Sequence, residues 1–209
     1  MLATVSKFLA KQYAQPSGFF GRWLMGRHLD QINAAGNALV LQALCPKPHE
    51  RIVEVGFGGG DLLLEIANCA QQAIGIERST SMLDRAHVRI NNENYDNVSL
   101  HSGSAESIPV DDETADAVIS VNTIYFWPSM QSGLREIIRV LKRDGRLVLG
   151  FGSKEHLQEA GYDQRGFSLY SEKEVEQLAR EAGFDECVLH SIERGKRGPF
   201  FALICRRTT

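Results

Sequence analysis

The chain has 209 residues, of which 43% are hydrophobic and 23% charged, and a formal net charge of −3. That length suits one large domain rather than two, with enough apolar surface for a substantial core, so disorder and low-complexity scaffolds are excluded. The charge balance supplies no global drive toward DNA, RNA or anionic lipid, which favour a strong positive excess.

Taken in chain order, the first fifty residues read as helical. Leu2, Val5, Phe8, Leu9 and Tyr13 share one face, and after Pro16-Ser17-Gly18 a second stretch carries Ile32, Leu39, Val40, Leu41 and Leu44. Residues 1–48 are therefore expected to form a helical cap or lid, and residues 49–209 the main domain. Pro46 and Pro48 break the pattern, and Arg51 to Val55 is a short β-rich run ending in glycines. A helix from Leu62 to about Ala70, a strand from Ala73 to Glu77, a helix from Thr80 to Ile90 and a strand from Val98 to Ser102 follow. Asp116 to Val121 is a nearly all-apolar fourth strand. Leu134, Ile137, Ile138 and Leu141 mark an amphipathic helix before a fifth strand from Arg146 to Phe151. An irregular insertion (151–170), expected on the substrate side as a wall of the site, precedes a helix with a capping box, Ser171 with Glu174, closed by Gly183. Cys187 to Ile192 and Phe200 to Cys205 read as a hairpin across the Gly195-to-Pro199 turn, so the last strand runs antiparallel. The expected fold is α/β: a Rossmann-like seven-stranded mostly parallel sheet, helices on both faces, and an antiparallel C-terminal hairpin.

Cys45, Cys69, Cys187 and Cys205 form no C-x-x-C pair and have no histidine at metal-ligand spacing. Neither a metal site nor a disulfide framework is signalled, and four buried thiols in a reducing cytoplasm are expected. No apolar run approaches the roughly 20 residues that span a bilayer, and Lys7 and Lys11 interrupt the only stretch resembling a signal-peptide core, so a soluble, unprocessed cytoplasmic chain without stable membrane insertion is expected.

The sharpest motif is Glu54-Val-Gly56-Phe-Gly58-Gly59-Gly60-Asp61 at the end of the first strand. Glycines there allow a tight turn and a close backbone approach to a ligand at the next helix's N-terminus. The dinucleotide fingerprint needs a third glycine where this chain has Asp61, and an acid beside a pyrophosphate is unfavourable. Glu54 at the strand end likewise suits a cationic amino group better than a phosphate.

On this motif the chain resembles the class I S-adenosylmethionine-dependent methyltransferases, whose signature is an acidic residue, one spacer and G-x-G-x-G. The resemblance runs from about Arg51 to Arg207 and favours the small-molecule branch that includes relatives acting on quinone precursors and lipids. It implies S-adenosylmethionine as cofactor and S-adenosylhomocysteine as product. It assigns Glu54, Gly56, Gly58 and Gly60 to the methionine and ribose portions, and Glu77 with neighbouring Arg78 to the end of the second strand. A carboxylate at Glu77 can accept hydrogen bonds from a ribose diol. Ser104 and Ala105 fall where the family contacts adenine, although Ser104 stands where an aspartate is common. Asn122, at the end of the fourth strand, can hold cofactor or substrate.

Tyr125 and Trp127 follow as a candidate aromatic substrate wall, with Tyr13 and Phe20 from the cap, while Phe126 is expected to pack beneath the next helix. No catalytic base stands out among the six histidines. The Arg194-Gly-Lys196-Arg197 turn reads as a solvated basic turn. The expected activity is methyl transfer by in-line displacement to a small-molecule or lipid-like acceptor. Methylation of RNA or protein, and a non-catalytic sensor or partner subunit that binds S-adenosylmethionine without turnover, are the alternatives.

Overall fold

The structure is a computed structural model describing residues 26–208, with side chains described from residue 34 onward. Tyr13, Phe20 and the apolar stripe from Leu2 to Leu9 lie outside the described residues. A seven-stranded sheet forms the middle layer. Its strands are β1 (Arg51–Val55), β2 (Gln72–Glu77), β3 (Val98–Ser102), β4 (Ala115–Val121), β5 (Leu141–Gly152), β6 (Glu186–Glu193) and β7 (Pro199–Arg206). The spatial order is β3-β2-β1-β4-β5-β7-β6. The first five pair with one another in parallel, and β7 runs antiparallel between β5 and β6, with Leu149 opposite Leu203. The order reverses between β1 and β4, which opens a crevice at the carboxyl ends of those strands.

Both faces are covered because the central strands are apolar on both sides. On one face, α1 (Gly26–Leu44), α2 (Asp61–Ala67) and α3 (Thr80–Glu93) contribute Val40, Leu44, Leu62, Leu63, Ile66, Leu83 and Ala86 to a core with Ile52, Ala117, Ile119 and Phe200. On the other, α4 (Met130–Val140) and α6 (Glu172–Ala182) bring Leu134, Ile137, Val140, Val175 and Ala179 against Val53, Val118, Leu147 and Leu149. The described part of the expected cap is thus a helix lying on the sheet. It comes close because a Cβ on Gly150 would meet Val40 Cγ2 at 2.6 Å.

A buried ion pair ties that helix to the sheet. Arg146 Nη1 and Nη2 donate to Glu50 Oε1 at 2.7 Å and Oε2 at 2.8 Å, while Nε donates to the Leu44 carbonyl at 3.0 Å. Burial pushes the Glu50 carboxyl upward, but the Arg146 hydrogen bonds, the Lys47 N–H and the charges of both residues outweigh it and hold its pKa below the usual carboxylate range.

The capping box at Ser171 and Glu174 is formed, and Gly183 ends α6 at φ 113°. The insertion contains a short helix, α5 (Lys154–Glu159), started by the Ser153 side chain. Leu141, expected on a helix, instead opens β5, because α4 ends at Val140 and the chain turns extended there. The thiol reading is corrected at all four positions. Cys45 and Cys69 are exposed, and Cys187 and Cys205, directly opposite each other on β6 and β7 with Cα atoms 4.2 Å apart, form a disulfide. Spacing in the chain does not reveal a cross-strand pair, since only the hairpin register makes them neighbours.

Candidate active site

The glycine turn after β1 is built by three left-handed residues, Gly56 at φ 76°, Gly58 at 53° and Gly60 at 85°. At Gly56 a side chain is excluded twice, since a Cβ would also meet Thr123 Cγ2 at 2.5 Å. The turn is pinned to β2, with the Gly56 N–H donating to the Ile76 carbonyl at 2.7 Å. At Gly58 a Cβ would meet nothing within 4 Å, so its backbone faces open space. Asp61, the acid that breaks the dinucleotide pattern, begins α2 and is paired with Arg89 of α3.

Glu54 is 3% exposed, and its Oε2 has no hydrogen-bond partner among the described residues. Burial first, then the charges of Glu77, Asp61 and Glu65, push its pKa up to about 8. An uncompensated buried carboxyl facing a cavity is stabilised by a cation, which fits an ammonium group. Glu77 is also buried, and it is held from both sides. The Gly58 N–H donates to its Oε2 at 3.2 Å and the Ser79 N–H to its Oε1 at 2.9 Å. Each oxygen keeps a further lone pair, so the carboxylate can still accept hydrogen bonds from a diol. Ser104 sits in a small turn closed by paired backbone bonds with Ser107. Ala105 is buried, and Arg78 is exposed at the rim. Asn122 takes a left-handed conformation, φ 57°, with its N–H donating to the Gly150 carbonyl at 2.8 Å.

A cavity of about 460 Å³ joins these groups. Glu54, Gly56, Gly58, Glu77, Arg78, Ser104, Ala105, Asn122, Tyr125 and Trp127 all line it; Gly60 does not, and its positive φ serves the turn and the start of α2. The aromatic segment departs from expectation at Phe126, which also lines the cavity. Trp127 and Tyr125 are nearly buried, while Phe126 is partly open and stacks on Phe167 of the insertion with centroids 4.9 Å apart. The short 3-10 turn over Ile124–Phe126 rotates successive side chains to different sides, so Phe126 faces the insertion. Trp127, while lining the cavity, also packs against α4 at Gly133, where a Cβ would meet its ring at 2.7 Å. The Tyr125 hydroxyl accepts from the Gly152 N–H at 2.6 Å, and burial raises its pKa, so the phenol stays protonated.

Sequence reasoning placed the insertion on the substrate side without naming its residues, and it missed the basic turn. Phe167, Leu157 and Tyr162 from the insertion, Asn37 from α1, and Arg194, Lys196 and Arg197 from the basic turn also line the cavity. The signal available was the length of the insertion, which marked a segment without naming its residues.

Residues 53–149, from β1 into β5, match the family described as a methyltransferase domain. That match and relatives named as methyltransferases support a class I S-adenosylmethionine-dependent methyltransferase. The unpartnered acid on the G-x-G-x-G turn and the strand order agree with that reading and with its cofactor. Among relatives, the chain is 29% identical over 123 residues to the uncharacterized methyltransferase YcgJ of Bacillus subtilis, covering 57% of this chain and 48% of that one. It is 32% identical over 106 residues to a demethylmenaquinone methyltransferase of Corynebacterium kroppenstedtii, covering 51% of this chain and 43% of the relative. In these matches the chain spans about half the length of the curated relatives or less. The YcgJ crystal structure superposes with TM-score 0.72 at 16% identity over 84% of this chain and 99% of that chain. A phosphoethanolamine N-methyltransferase 2 of Haemonchus contortus, solved with S-adenosyl-L-methionine, shares the fold at TM-score 0.72 and 16% identity over 84% of this chain and 53% of that one. Among the described residues no helix is long and apolar enough to cross a membrane, and no cluster of His, Cys, Asp or Glu is arranged to hold a metal ion.

Proposed function

We propose that the protein methylates a small-molecule or lipid-like acceptor seated between the glycine turn and the aromatic wall. One observation carries this reading: the cavity runs without a break from Glu54 and Glu77 to Tyr125, Phe126 and Phe167. Bound S-adenosylmethionine supplies an electrophilic methyl on its sulfonium, and the transfer needs no protein nucleophile. Glu54 would hold the cofactor's amino group, Glu77 its ribose diol, and Ser104 and Ala105 its adenine, with Gly58 leaving room for close approach. Asn122 and Tyr125 would position the acceptor and its end of the cofactor, while Phe126, Phe167 and Trp127 exclude water. Holding the reacting atoms in line at about 3–3.5 Å lowers the barrier by roughly 7–11 kcal/mol. The relative named for demethylmenaquinone supports an apolar small molecule over a polymer. The segment 1–48 we read as contributing to the cavity's cover, as Asn37 already does.

Radiolabelled methyl transfer from S-adenosylmethionine into a cell extract, fractionated into lipid, small-molecule, RNA and protein pools, tests this. Label is expected in the lipid or small-molecule pool. Label confined to RNA or protein overturns the acceptor class, and calorimetric binding of the cofactor with no label in any pool favours a non-catalytic subunit.

A further inference from the structure

The cavity is electrically lopsided. At the end formed by β1 and β2 it presents Glu54 and Glu77, and at the other end it presents Arg194, Lys196 and Arg197. Adjacent strands lie about 4.8 Å apart, so the tip of β5, two strands from β1, is displaced by roughly 10 Å from the glycine turn. Arg194 sits at that tip. A Cβ built on Gly152 would meet Arg194 Nη2 at 3.4 Å and Tyr125 Oη at 3.6 Å, so the guanidinium and the phenol flank one point at the end of β5.

Arg194 is a built feature of this wall. Its guanidinium stacks on the Phe200 ring with Cζ 4.4 Å from the centroid, which fixes its plane. Its Nε is buried without a hydrogen-bond partner, and no carboxylate pairs with it among the described residues. Burial pushes its pKa down, the response of a cation short of compensation. The turn carrying Lys196 is clamped to α5, because His156 Nε2 lies 2.7 Å from the Lys196 carbonyl oxygen and the imidazole fills the space beside Gly198. The basic turn is therefore a fixed part of the cavity wall.

Resting on the small-molecule reading above, we propose that the methyl acceptor carries an acidic group, a carboxylate or a phosphate. Arg194 binds it with help from Tyr125 and Lys196, while its apolar body lies against Phe126 and Phe167. A guanidinium forks onto either anion, and the protonated phenol adds a donor. The anchor then sits at the opposite end of the cavity from the acidic cofactor groups, which fixes the direction in which the acceptor enters.

Titration calorimetry with matched probes tests this on the full chain saturated with S-adenosylhomocysteine. Phenylacetate is compared with phenylacetamide for the carboxylate source, and phenyl phosphate with phenol for the phosphate source. At least one anion is expected to bind roughly tenfold or more tightly than its neutral partner, the scale of one charge-assisted hydrogen bond. Arg194→Gln should bring each pair to within about twofold. Because Arg194 packs on Phe200, Lys196→Gln on the exposed turn is the second variant, expected to weaken the preferred anion about two- to threefold without changing the melting temperature. S-adenosylhomocysteine affinity should stay within about twofold in both. Equal binding of anion and neutral partner, no anionic probe bound at millimolar concentration, or a preference that survives Arg194→Gln overturns the proposal. A parallel loss of S-adenosylhomocysteine affinity also overturns it, since the cations would then hold the cofactor's own carboxylate. Failure of S-adenosylhomocysteine to bind the wild-type chain removes the cofactor reading itself, and is seen in the first titration.

Discussion

Glu54 should make both stability and cofactor binding depend on pH, with opposite consequences. Its pKa rises from an ordinary 4.5 to about 8 in the folded protein without ligand, chiefly through burial. A group whose folded pKa is raised contributes stability that is fully present below the unfolded value and is lost as pH climbs through the folded one. At about 1.4 kcal/mol per unit, the ceiling of that contribution is about 5 kcal/mol, and water entering the cavity will make the realised figure smaller. Glu54→Gln replaces the protonated acid with a neutral amide of the same shape. The difference in melting temperature between wild type and variant should be small near pH 5 and grow in the variant's favour up to about pH 9. Cofactor binding works in the other direction, because a cationic amino group favours the ionised carboxylate. Near pH 7 the wild type should release up to about one proton on binding S-adenosylmethionine, whereas the variant releases less and binds more weakly by about 1.5–3 kcal/mol. Calorimetry in two buffers of different ionisation enthalpy measures the proton count. A wild type whose melting curve tracks the variant's at every pH, together with no difference in proton release, would refute the reasoning.

Glu77→Ala should weaken S-adenosylmethionine binding roughly ten- to a hundredfold by removing a charge-assisted acceptor, read by titration beside a thermal melt because Gly58 and Ser79 lose a partner too. Gly56→Ala should cost about 1–3 kcal/mol, since the left-handed backbone and the Thr123 methyl both oppose a side chain; unchanged urea unfolding would count against the turn geometry. Arg146→Met should cost about 3–5 kcal/mol by stranding the buried Glu50 charge, and adding Glu50→Leu should recover much of the loss; a double variant no more stable than the single one would show that the pair contributes through packing alone. Tyr125→Phe leaves the Gly152 N–H without its acceptor and should cost about 1–3 kcal/mol, checked by denaturant unfolding.

The layout of the fold was legible because its signals are local. Alternating apolar runs, the capping box at Ser171 and the glycines after Val55 act within a few residues of themselves, and the strand-helix alternation leaves few topologies open. The acidic end of the crevice was legible for the same reason: Glu54, Gly56, Gly58 and Glu77 stand at strand ends, where the parallel sheet must bring them together. What the sequence could not reveal depends on register and packing between distant segments. The pairing of Cys187 with Cys205 follows from the hairpin register, and the opening of Phe126 onto the cavity beside Trp127 follows from one 3-10 turn. The basic turn looked like a solvated loop because glycines and cations at a hairpin tip are ordinarily exposed. Its place in the cavity is decided by β7 folding back beside β5, which sets Arg194 on Phe200 and beside Gly152. The sequence by itself therefore determined the architecture and the acidic end of the site, and only the tertiary structure decided which residues close the opposite end, because that wall is assembled from the insertion, the basic turn and α1, which only the folded sheet brings together.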